Sequence, residues 1–452
     1  MAASDRTSRA SSLPQRLPFY YGWVIVVVSS LSIAASGPGQ TNLVAVFVDP
    51  MIDGLNISRT TISTLFMIGT MGAAFGMAFI GFAIDKYGPR AVMIPSVLTF
   101  GAFVMLMGVI PSSPGLATIL ALGLGFLGLR LLGQGALNML GGIMVSLWFR
   151  KKRGRASSYA AGAGWLLGLG GLPLITHWLI ADYGWREAWF VLGVGVWVVM
   201  LPPALFLVRS TPESVGLLPD GEKPAEQEKE TAEGERVSSA LADSSAEPED
   251  NWTVREALHT RSLYFILIAS MAWSTLGAGM MFHHTSLLEE RGITEAIARS
   301  SISAIAVMNL VGNIVAGRLN DRFPNHYTLM ISQVLLLSAF VMALLVDNNW
   351  LAFIYAGMLG LTQGFVLNTG TVIWANYFGR RNLGSIRGAT MWAVGATSAI
   401  GPLPVGILFD VTGGYSVGIW LYIGLLAPMI IAAALAVKPM RPAGFETAEL
   451  GT

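Results

Sequence analysis

Long apolar runs alternate with short polar segments along most of this chain. A helix needs about 20 apolar residues to cross the hydrocarbon core of a bilayer, and the pattern predicts twelve such helices. Spans 1 to 6 are 22–47, 59–83, 91–110, 116–148, 155–181 and 187–208. Spans 7 to 12 are 262–287, 295–317, 327–346, 351–377, 386–409 and 416–437. We therefore predict an all-α polytopic membrane protein.

Composition supports this class and narrows the chemistry. Hydrophobic residues make up 53% of the 452 residues and charged residues 12%, about half the charged share of a soluble protein. The net charge of +1 gives no sign of nucleic-acid binding. Cysteine is absent, which excludes disulfides and thiolate metal sites.

An acidic, proline-containing stretch separates spans 6 and 7. Residues 210–250 have too few large apolar side chains to form a core, so we expect a disordered linker there. The predicted domains are then an N-terminal six-helix bundle at 19–209 and a C-terminal six-helix bundle at 251–438, with tails at 1–18 and 439–452.

Lysine and arginine are concentrated on one side of the predicted membrane. An even number of spans places both termini on the same side, and that side carries residues 150–155 together with Arg380, Arg381 and Arg387. Cytoplasmic loops carry the excess of positive charge. We therefore expect cytoplasmic termini and a plasma-membrane location, the inner membrane if the source is bacterial.

The two predicted bundles repeat short motifs. "GFAIDKYGPR" (81–90) follows span 2 and "GRLNDRFPNH" (317–326) follows span 8, which pairs Asp85 with Asp321. "RGRASSYAAG" opens span 5 and "IRGATMWAVG" opens span 11. A duplicated six-span unit predicts two pseudosymmetric bundles around a central transport site.

The segment after span 2 contains the pattern Gly-x-x-x-Asp-Lys/Arg-x-Gly-x-Arg. Its residues here are Gly81, Asp85, Lys86, Gly88 and Arg90. The pattern resembles the signature loop of the major facilitator superfamily, and this resemblance implies the major facilitator fold and alternating access. It also implies that this loop and its partial copy, with Asp321 and Arg322, gate the cytoplasmic side. The alternative is a basic turn that serves topology only.

Four further segments resemble the monocarboxylate porters and their bacterial relatives of the oxalate/formate type. They are "YYGW" (20–23), "SLWFRKKRGRA" (146–156), "YFGRRNLGSIRG" (377–388) and "GPLPVGILFDVTGGY" (401–415). The resemblance implies transport of a small monocarboxylate such as lactate, with a proton or in exchange for another anion. The charged pair that animal members of this group carry in span 8 is absent, because Asn309 and Asn313 occupy the nearest match.

One arginine lies deep inside span 4. Arg130 is about 14 residues from the outer end, or roughly 20 Å at 1.5 Å per residue. A mid-membrane arginine avoids lipid, and Gln134 and Asn138 follow it on the same helix face. Because a guanidinium suits a carboxylate, we predict that these three residues bind substrate. The alternative is that Arg130 stabilises the N-terminal bundle.

Helix breakers interrupt span 1 at residues 37–39, and Gln40 and Asn42 follow them. A break inside the membrane is tolerated only beside protein or a water-filled cavity, and breaks in matching spans indicate a transport site. Gly277 and Gly279 lie at the corresponding depth of span 7. Either the break faces the site or it is a bend for packing. Four amides complete the predicted substrate-binding set: Asn309, Asn313, Gln363 and Asn368.

His283 and His284, near the outer end of span 7, are candidates for proton coupling because histidine titrates near neutral pH. The alternative is a polar pair at the outer gate. The sequence has no nucleotide-binding loop, nucleophile elbow or metal-spaced histidines, so we predict no catalytic residue, metal or cofactor. We expect a monomeric secondary transporter of a small organic anion. The alternatives are an exporter of amphipathic compounds, an anion exchanger, and a membrane sensor.

Overall fold

The computed structural model describes Pro14 and residues 18–112, 115–222 and 251–440, and the regular structure in these ranges is helical. Eleven helical rods in this part of the chain are long and apolar enough to cross a membrane. Spans 1 to 6 are Gly22–Leu55, Arg59–Tyr87, Pro89–Gly108, Leu116–Trp148, Arg153–Tyr183 and Trp185–Leu207. Spans 7 to 10 and span 12 are Arg261–Phe282, Glu295–Asn320, Asn325–Leu345, Asn349–Phe378 and Ser416–Leu435. The predicted fold class is confirmed.

Span 11 is built from two helices. Leu383–Ile400 ends at Gly401, and Pro402–Thr412 continues the rod. The proline lacks the N–H that a continuous helix would use, so the first helix stops at this point. Span 7 is likewise followed by a separate helix, His284–Glu290, after a break at His283.

The predicted break in span 1 is present. Gly22–Ala35 ends at a short 3-10 turn, Gly37–Gly39, and the helix Thr41–Leu55 follows. This last helix continues past the predicted end at residue 47. It passes through Pro50 and stops at Asn56, which has a left-handed backbone.

Two apolar cores hold the bundles together. One fills the N-terminal bundle and continues into the C-terminal bundle through Trp374, Phe378 and Leu383. The other fills the remaining part of the C-terminal bundle around Phe340 and Tyr422. We call the end of the molecule with Trp374, Phe378 and Leu383 the terminal face, because the described termini lie there, and the opposite end the distal face.

Residues 210–222, the first part of the predicted linker, make contacts with the N-terminal bundle. The Asp220 carboxylate accepts hydrogen bonds from the backbone N–H groups of Arg150 (2.8 Å), Lys151 (2.7 Å) and Lys152 (3.1 Å). These three amides precede the span 5 helix, so Asp220, together with the ion pair between Glu222 and Lys151 (3.1 Å), holds the end of this segment against the N-terminal bundle. Residues 223–250 of the predicted linker, and nearly all of the two predicted tails, lie outside the described residues.

Candidate functional site

A cavity of about 240 Å³ lies between the two bundles. Spans 1, 4, 5, 7, 9, 10 and 11 contribute to its wall. We call it the central cavity. Its polar lining residues are Asn138, Ser157, Ser270, Ser274, Thr371, Arg387 and Thr390, and its tryptophans are Trp165, Trp273 and Trp374.

Among the described residues that line the central cavity, Arg387 alone is charged. Its side chain is buried, with 5% of the residue exposed. Nε and Nη1 have no hydrogen-bond partner in the described part of the chain. Gly142 of span 4 gives the guanidinium its space, because a Cβ there would lie 2.8 Å from Nη1. A buried cation without a counter-charge is costly, so this geometry is suited to an anionic ligand.

The spacing of residues in span 11 contains a signal for Arg387 that the sequence prediction missed. Arg387, Thr390, Met391 and Val394 all line the cavity, and their spacing of three, four and seven residues defines one helix face. Arg387 begins that face only one turn inside the helix Leu383–Ile400. Because Arg387 follows a basic loop directly, the sequence pattern groups it with the basic residues that set the orientation of the chain in the membrane.

The internal repeat relates the cavity residues of spans 5 and 11. The Asp85 carboxylate accepts from the backbone N–H of Gly384 (2.8 Å), and the Asp321 carboxylate accepts from that of Gly154 (2.6 Å). If Gly384 corresponds to Gly154, then Arg387 corresponds to Ser157. The Ser157 hydroxyl is also buried without a partner. Matching positions of the two bundles thus each place an unpartnered donor in the central cavity.

Arg130 lies inside the N-terminal bundle and is not among the residues that line the central cavity. Its Nη1 donates to the carbonyl oxygen of Gly39 and to Thr41 Oγ1, both at 3.1 Å. Its guanidinium lies 5.1 Å from the centre of the Phe66 ring. The π-helical segment Leu129–Leu137 of span 4 carries it towards the break in span 1. These contacts support the structural alternative, and substrate binding by Arg130 stays an untested prediction.

The other predicted residues near Arg130 are dispersed. Asn138 lines the central cavity, and its amide has no hydrogen bond to the described residues, whereas Gln134 is not part of the lining. Gln40 is buried and donates to Ser36 Oγ at 3.1 Å. Asn42 is exposed on the distal side of the break.

The predicted amides of spans 8 and 10 join helices instead of lining the cavity. Asn309 Nδ2 donates to Gln363 Oε1 at 2.6 Å. Asn368 Nδ2 donates to Asn313 Oδ1 (3.1 Å) and, across the bundle interface, to Ser158 Oγ (2.9 Å) and the Gly154 carbonyl oxygen (3.1 Å). Asn368 therefore connects the two bundles.

A chain of polar groups continues from Asn368 towards the terminal face. Asn320 donates to Asn368 Oδ1 (2.9 Å), Asn325 donates to Asn320 Oδ1 (2.8 Å), and Asn376 donates to Asn325 Oδ1 (2.7 Å). Arg153 of span 5 then donates to Asn376 Oδ1. We call this set, Arg153, Asn320, Asn325, Asn368 and Asn376, the amide network.

The signature loop contacts the C-terminal bundle through Gly81 and Asp85, and its other contacts lie within the N-terminal bundle. A Cβ on Gly81 would overlap the Gly384 carbonyl oxygen, so glycine permits the close approach that Asp85 uses. Gly88, with φ of 82°, turns the chain from span 2 into span 3. The Lys86 Nζ lies near the Phe82 and Tyr87 rings, and Arg90 Nη2 donates to the Leu205 carbonyl oxygen at 2.7 Å. Arg322, in the partial copy, is exposed.

The two histidines lie in the C-terminal bundle and are not among the cavity-lining residues. His283 Nε2 lies 3.0 Å from the Pro402 carbonyl oxygen. His284 is buried, with Nε2 2.8 Å from Ser301 Oγ and its ring stacked on Tyr355. Their predicted role in proton coupling is not tested by this arrangement.

An all-helical membrane protein of two repeated bundles with a cavity between them has the architecture of a transporter. The sequence profile of the Major Facilitator Superfamily matches residues 23–298 and 265–450. The chain belongs to this superfamily, and it is a transporter and not an enzyme.

Similarity to individual proteins is low. The hexuronate transporter of Bacillus subtilis is 23% identical over 412 residues, which cover 87% of this chain and 90% of that protein. The cis,cis-muconate transport protein of Acinetobacter baylyi is 23% identical over 203 residues, which cover 44% of this chain and 45% of that protein. A Haemophilus influenzae relative is likewise matched over only 40% of its length.

The fold also matches solved structures. The proton:xylose symporter XylE bound to 6-bromo-6-deoxy-D-glucose gives a TM-score of 0.64 at 13% identity, with 91% of this chain and 94% of that chain covered. At this identity the likeness concerns the fold, and it supports the predicted major facilitator architecture.

Proposed function

We propose that this protein is a secondary active transporter of a small monocarboxylate, and that Arg387 binds the carboxylate in the central cavity. The observation that carries the proposal is the buried, unpartnered guanidinium of Arg387. One cation balances one carboxylate, and the described lining residues include no second cation for a dicarboxylate. The names of the hexuronate and muconate relatives support an organic acid as the cargo.

Asn138 and Ser157 complete the proposed carboxylate site. Both line the cavity on the N-terminal bundle, and neither side chain has a hydrogen-bond partner among the described residues. Arg387 belongs to the C-terminal bundle, so a bound carboxylate would contact both bundles. A ligand held between two moving bundles is the arrangement that alternating access requires.

The terminal face is proposed to be cytoplasmic, because it carries most of the lysine and arginine. Asp85, Asp321 and the amide network join the bundles on this side of the cavity. The structure then corresponds to the state that is closed to the cytoplasm. Movement of the two bundles to the state that is open to the cytoplasm would break these contacts and release the acid there.

Two modes of coupling fit the cavity. The described lining residues include no Asp, Glu or His. When the substrate is bound, its own carboxylate is therefore the group in the cavity that can accept a proton. Symport would carry the proton on the acid or through His284, and exchange would need no proton. Uptake of a labelled acid driven by a pH gradient identifies symport, whereas uptake that depends on acid preloaded inside the vesicles identifies exchange.

The test of the site compares Arg387→Gln with Arg381→Gln in proteoliposomes. Arg381 is an exposed arginine six residues earlier on the same segment. We expect Arg387→Gln to lose acid uptake and acid-induced thermal stabilisation, and Arg381→Gln to keep both. If uptake survives in Arg387→Gln but is lost in Arg130→Gln, then Arg130 and not Arg387 binds the carboxylate. Competition by neutral amphipathic compounds, with no requirement for Arg387, would favour the exporter.

A further inference from the structure

Three tryptophans from three different spans line the central cavity. Trp165 comes from span 5, Trp273 from span 7 and Trp374 from span 10. None of their indole N–H groups donates a hydrogen bond to another described residue. Large aromatic side chains offer flat apolar area with little conformational entropy to lose, so they suit a ligand with a flat apolar surface.

The backbone makes room for one of these rings. Trp273 lies in the π-helical segment Ala272–Gly277 of span 7. A Cβ on Gly277 would overlap the Trp273 ring. The glycine that the sequence places at this depth therefore allows the indole to pack against its own helix. Single π-helical turns of this kind are frequent at functional sites.

Most hydroxyls of the cavity already have partners. Thr371 Oγ1 donates to the Leu367 carbonyl oxygen (2.9 Å), and Thr390 Oγ1 donates to that of Ile386 (3.0 Å). Ser274 Oγ donates to the Met271 carbonyl oxygen at 3.2 Å. Besides Arg387 and the indoles, the lining side chains without a partner are those of Asn138, Ser157 and Ser270. The rest of the lining is mostly apolar, so a ligand with a hydroxyl on every carbon would place some of its hydroxyls against apolar groups, and each unsatisfied hydroxyl costs binding free energy.

The cavity is also small. Its volume of about 240 Å³ is below the range of about 300–1,000 Å³ that is typical of pockets for drug-sized ligands. In this state it therefore suits a body of about one ring.

We infer that the central cavity selects monocarboxylates with a flat apolar body, such as a single aromatic ring, over polyhydroxylated acids. The carboxylate binds Arg387 and the body packs against Trp165, Trp273 and Trp374. This inference rests on the proposed function. It separates this chain from a transporter of hexuronates, the substrate class in the name of one relative.

The test measures binding of four probes to the purified full-length protein by thermal stabilisation and by titration. Benzoate has the ring and the carboxylate, acetate only the carboxylate, benzyl alcohol only the ring, and glucuronate a carboxylate on a hydroxylated body. We expect benzoate to bind more tightly than acetate and glucuronate by about tenfold or more, a ratio typical of a few buried apolar groups. Benzyl alcohol should not bind measurably.

Two variants assign the selectivity to the tryptophans. Trp273→Ala and Trp165→Ala should each weaken benzoate binding while acetate binding is retained, and retained acetate binding shows that the variant is folded. Trp420→Ala is the control, because Trp420 is exposed on span 12. Glucuronate or acetate binding as tight as benzoate, still dependent on Arg387, would overturn this inference and leave the proposed function standing. Failure of all three acids to bind would overturn the proposed function itself.

Discussion

Arg387 brings a positive charge into a buried position where the described protein groups leave it without a partner. An uncompensated buried charge costs about 3–5 kcal/mol of stability. A carboxylate that binds there relieves part of this cost, and a ligand that binds only the folded protein raises the free energy of unfolding. Acid-induced thermal stabilisation is therefore a direct readout of this residue.

Gly142 should contribute to binding because it makes room for the guanidinium of Arg387. In Gly142→Ala the new methyl group displaces the guanidinium, since its Cβ would lie 2.8 Å from Arg387 Nη1. We expect acid affinity to fall about tenfold, which equals about 1.4 kcal/mol, with little loss of thermal stability. Isothermal titration with benzoate measures the change. The control is Gly195→Ala, where a Cβ meets no atom within 4 Å, and equal affinities for the two variants would contradict the prediction.

Arg130→Gln should change stability more than binding. The substitution removes the charge-assisted hydrogen bonds to the Gly39 carbonyl oxygen and Thr41 Oγ1, each worth about 1.5–3 kcal/mol. We expect a lower apparent melting temperature and an almost unchanged dissociation constant for the acid in the protein that remains folded. A normal melting temperature with acid binding abolished would show that the sequence prediction for Arg130 was right.

The difference between these two arginines shows what sequence could not supply. Depth in an apolar run identified Arg130 as a buried cation, and it is buried. Whether its guanidinium faces the cavity or a neighbouring helix depends on the rotation of span 4 and on the break in span 1. Arg387 was missed because it lies only one turn from the start of its helix. Its burial depends on contacts between the two bundles, which are distant from it in the sequence.

Two aspartates cap helices of the opposite bundle. Asp85 accepts from the first amides of Leu383–Ile400, and Asp321 accepts from those of Arg153–Trp165. Helix N-termini attract negative charge, so each contact is stronger while the carboxylate is ionised. Burial raises the pKa of the Asp321 carboxyl, and hydrogen bonds from Arg155 and Gly154 oppose that shift.

Asp321→Asn should favour opening of the terminal face. Asparagine keeps one acceptor but loses the charge that Arg155 Nε contacts at 2.8 Å. Because charge-assisted hydrogen bonds are about twice as strong as neutral ones, we expect the open population to rise about tenfold. The chain has no cysteine, so spin labels on Lys86→Cys and Arg381→Cys report the distance between bundles directly. Asp347→Asn, at an exposed loop, is the control, and unchanged distances in Asp321→Asn would refute the role of the contact.

The elements were more predictable than the site. Apolar length located the eleven long helices of the described chain, because no other feature of a chain sustains about 20 apolar residues so many times, and predicted span 11 corresponds to two shorter helices. The helix breakers located the interruption of span 1 for the same local reason. The contacts of residues 210–222 could not be predicted, since Asp220 binds three amides that are about 70 residues away in sequence.

The two bundles share an apolar core at the terminal face, while the core around Phe340 and Tyr422 belongs to the C-terminal bundle alone. The inter-bundle hydrogen bonds seen in residues 18–112, 115–222 and 251–440 lie on the terminal side of the cavity. This asymmetry is what one end state of a rocking movement requires. The amide network supplies polar contacts between the bundles on the terminal side.

Asn368→Ala should weaken this closure. The substitution removes the amide that contacts Ser158, the Gly154 carbonyl, Asn313 and Asn320. We expect lower thermal stability, by about 1–3 kcal/mol for the buried groups left unpaired, and a longer distance between the terminal-face spin labels. Gln333→Ala is the matched control, because Gln333 is a buried amide that bonds within the C-terminal bundle. It should lose stability without a change in distance, and a distance change of the same size in both variants would contradict the assignment.

Asp85 holds Gly384 and Ser385, and Arg387 follows only two residues later on the same rigid helix, a rise of about 3 Å. Binding of the acid and closure of the terminal face therefore act on the same helix. An acid that prefers the closed state stabilises the Asp85 contact, and a substitution that loosens the contact lowers the apparent affinity for the acid by the factor by which it reduces the closed population. A defect at the membrane surface would in this way register as a change of substrate affinity inside the bilayer.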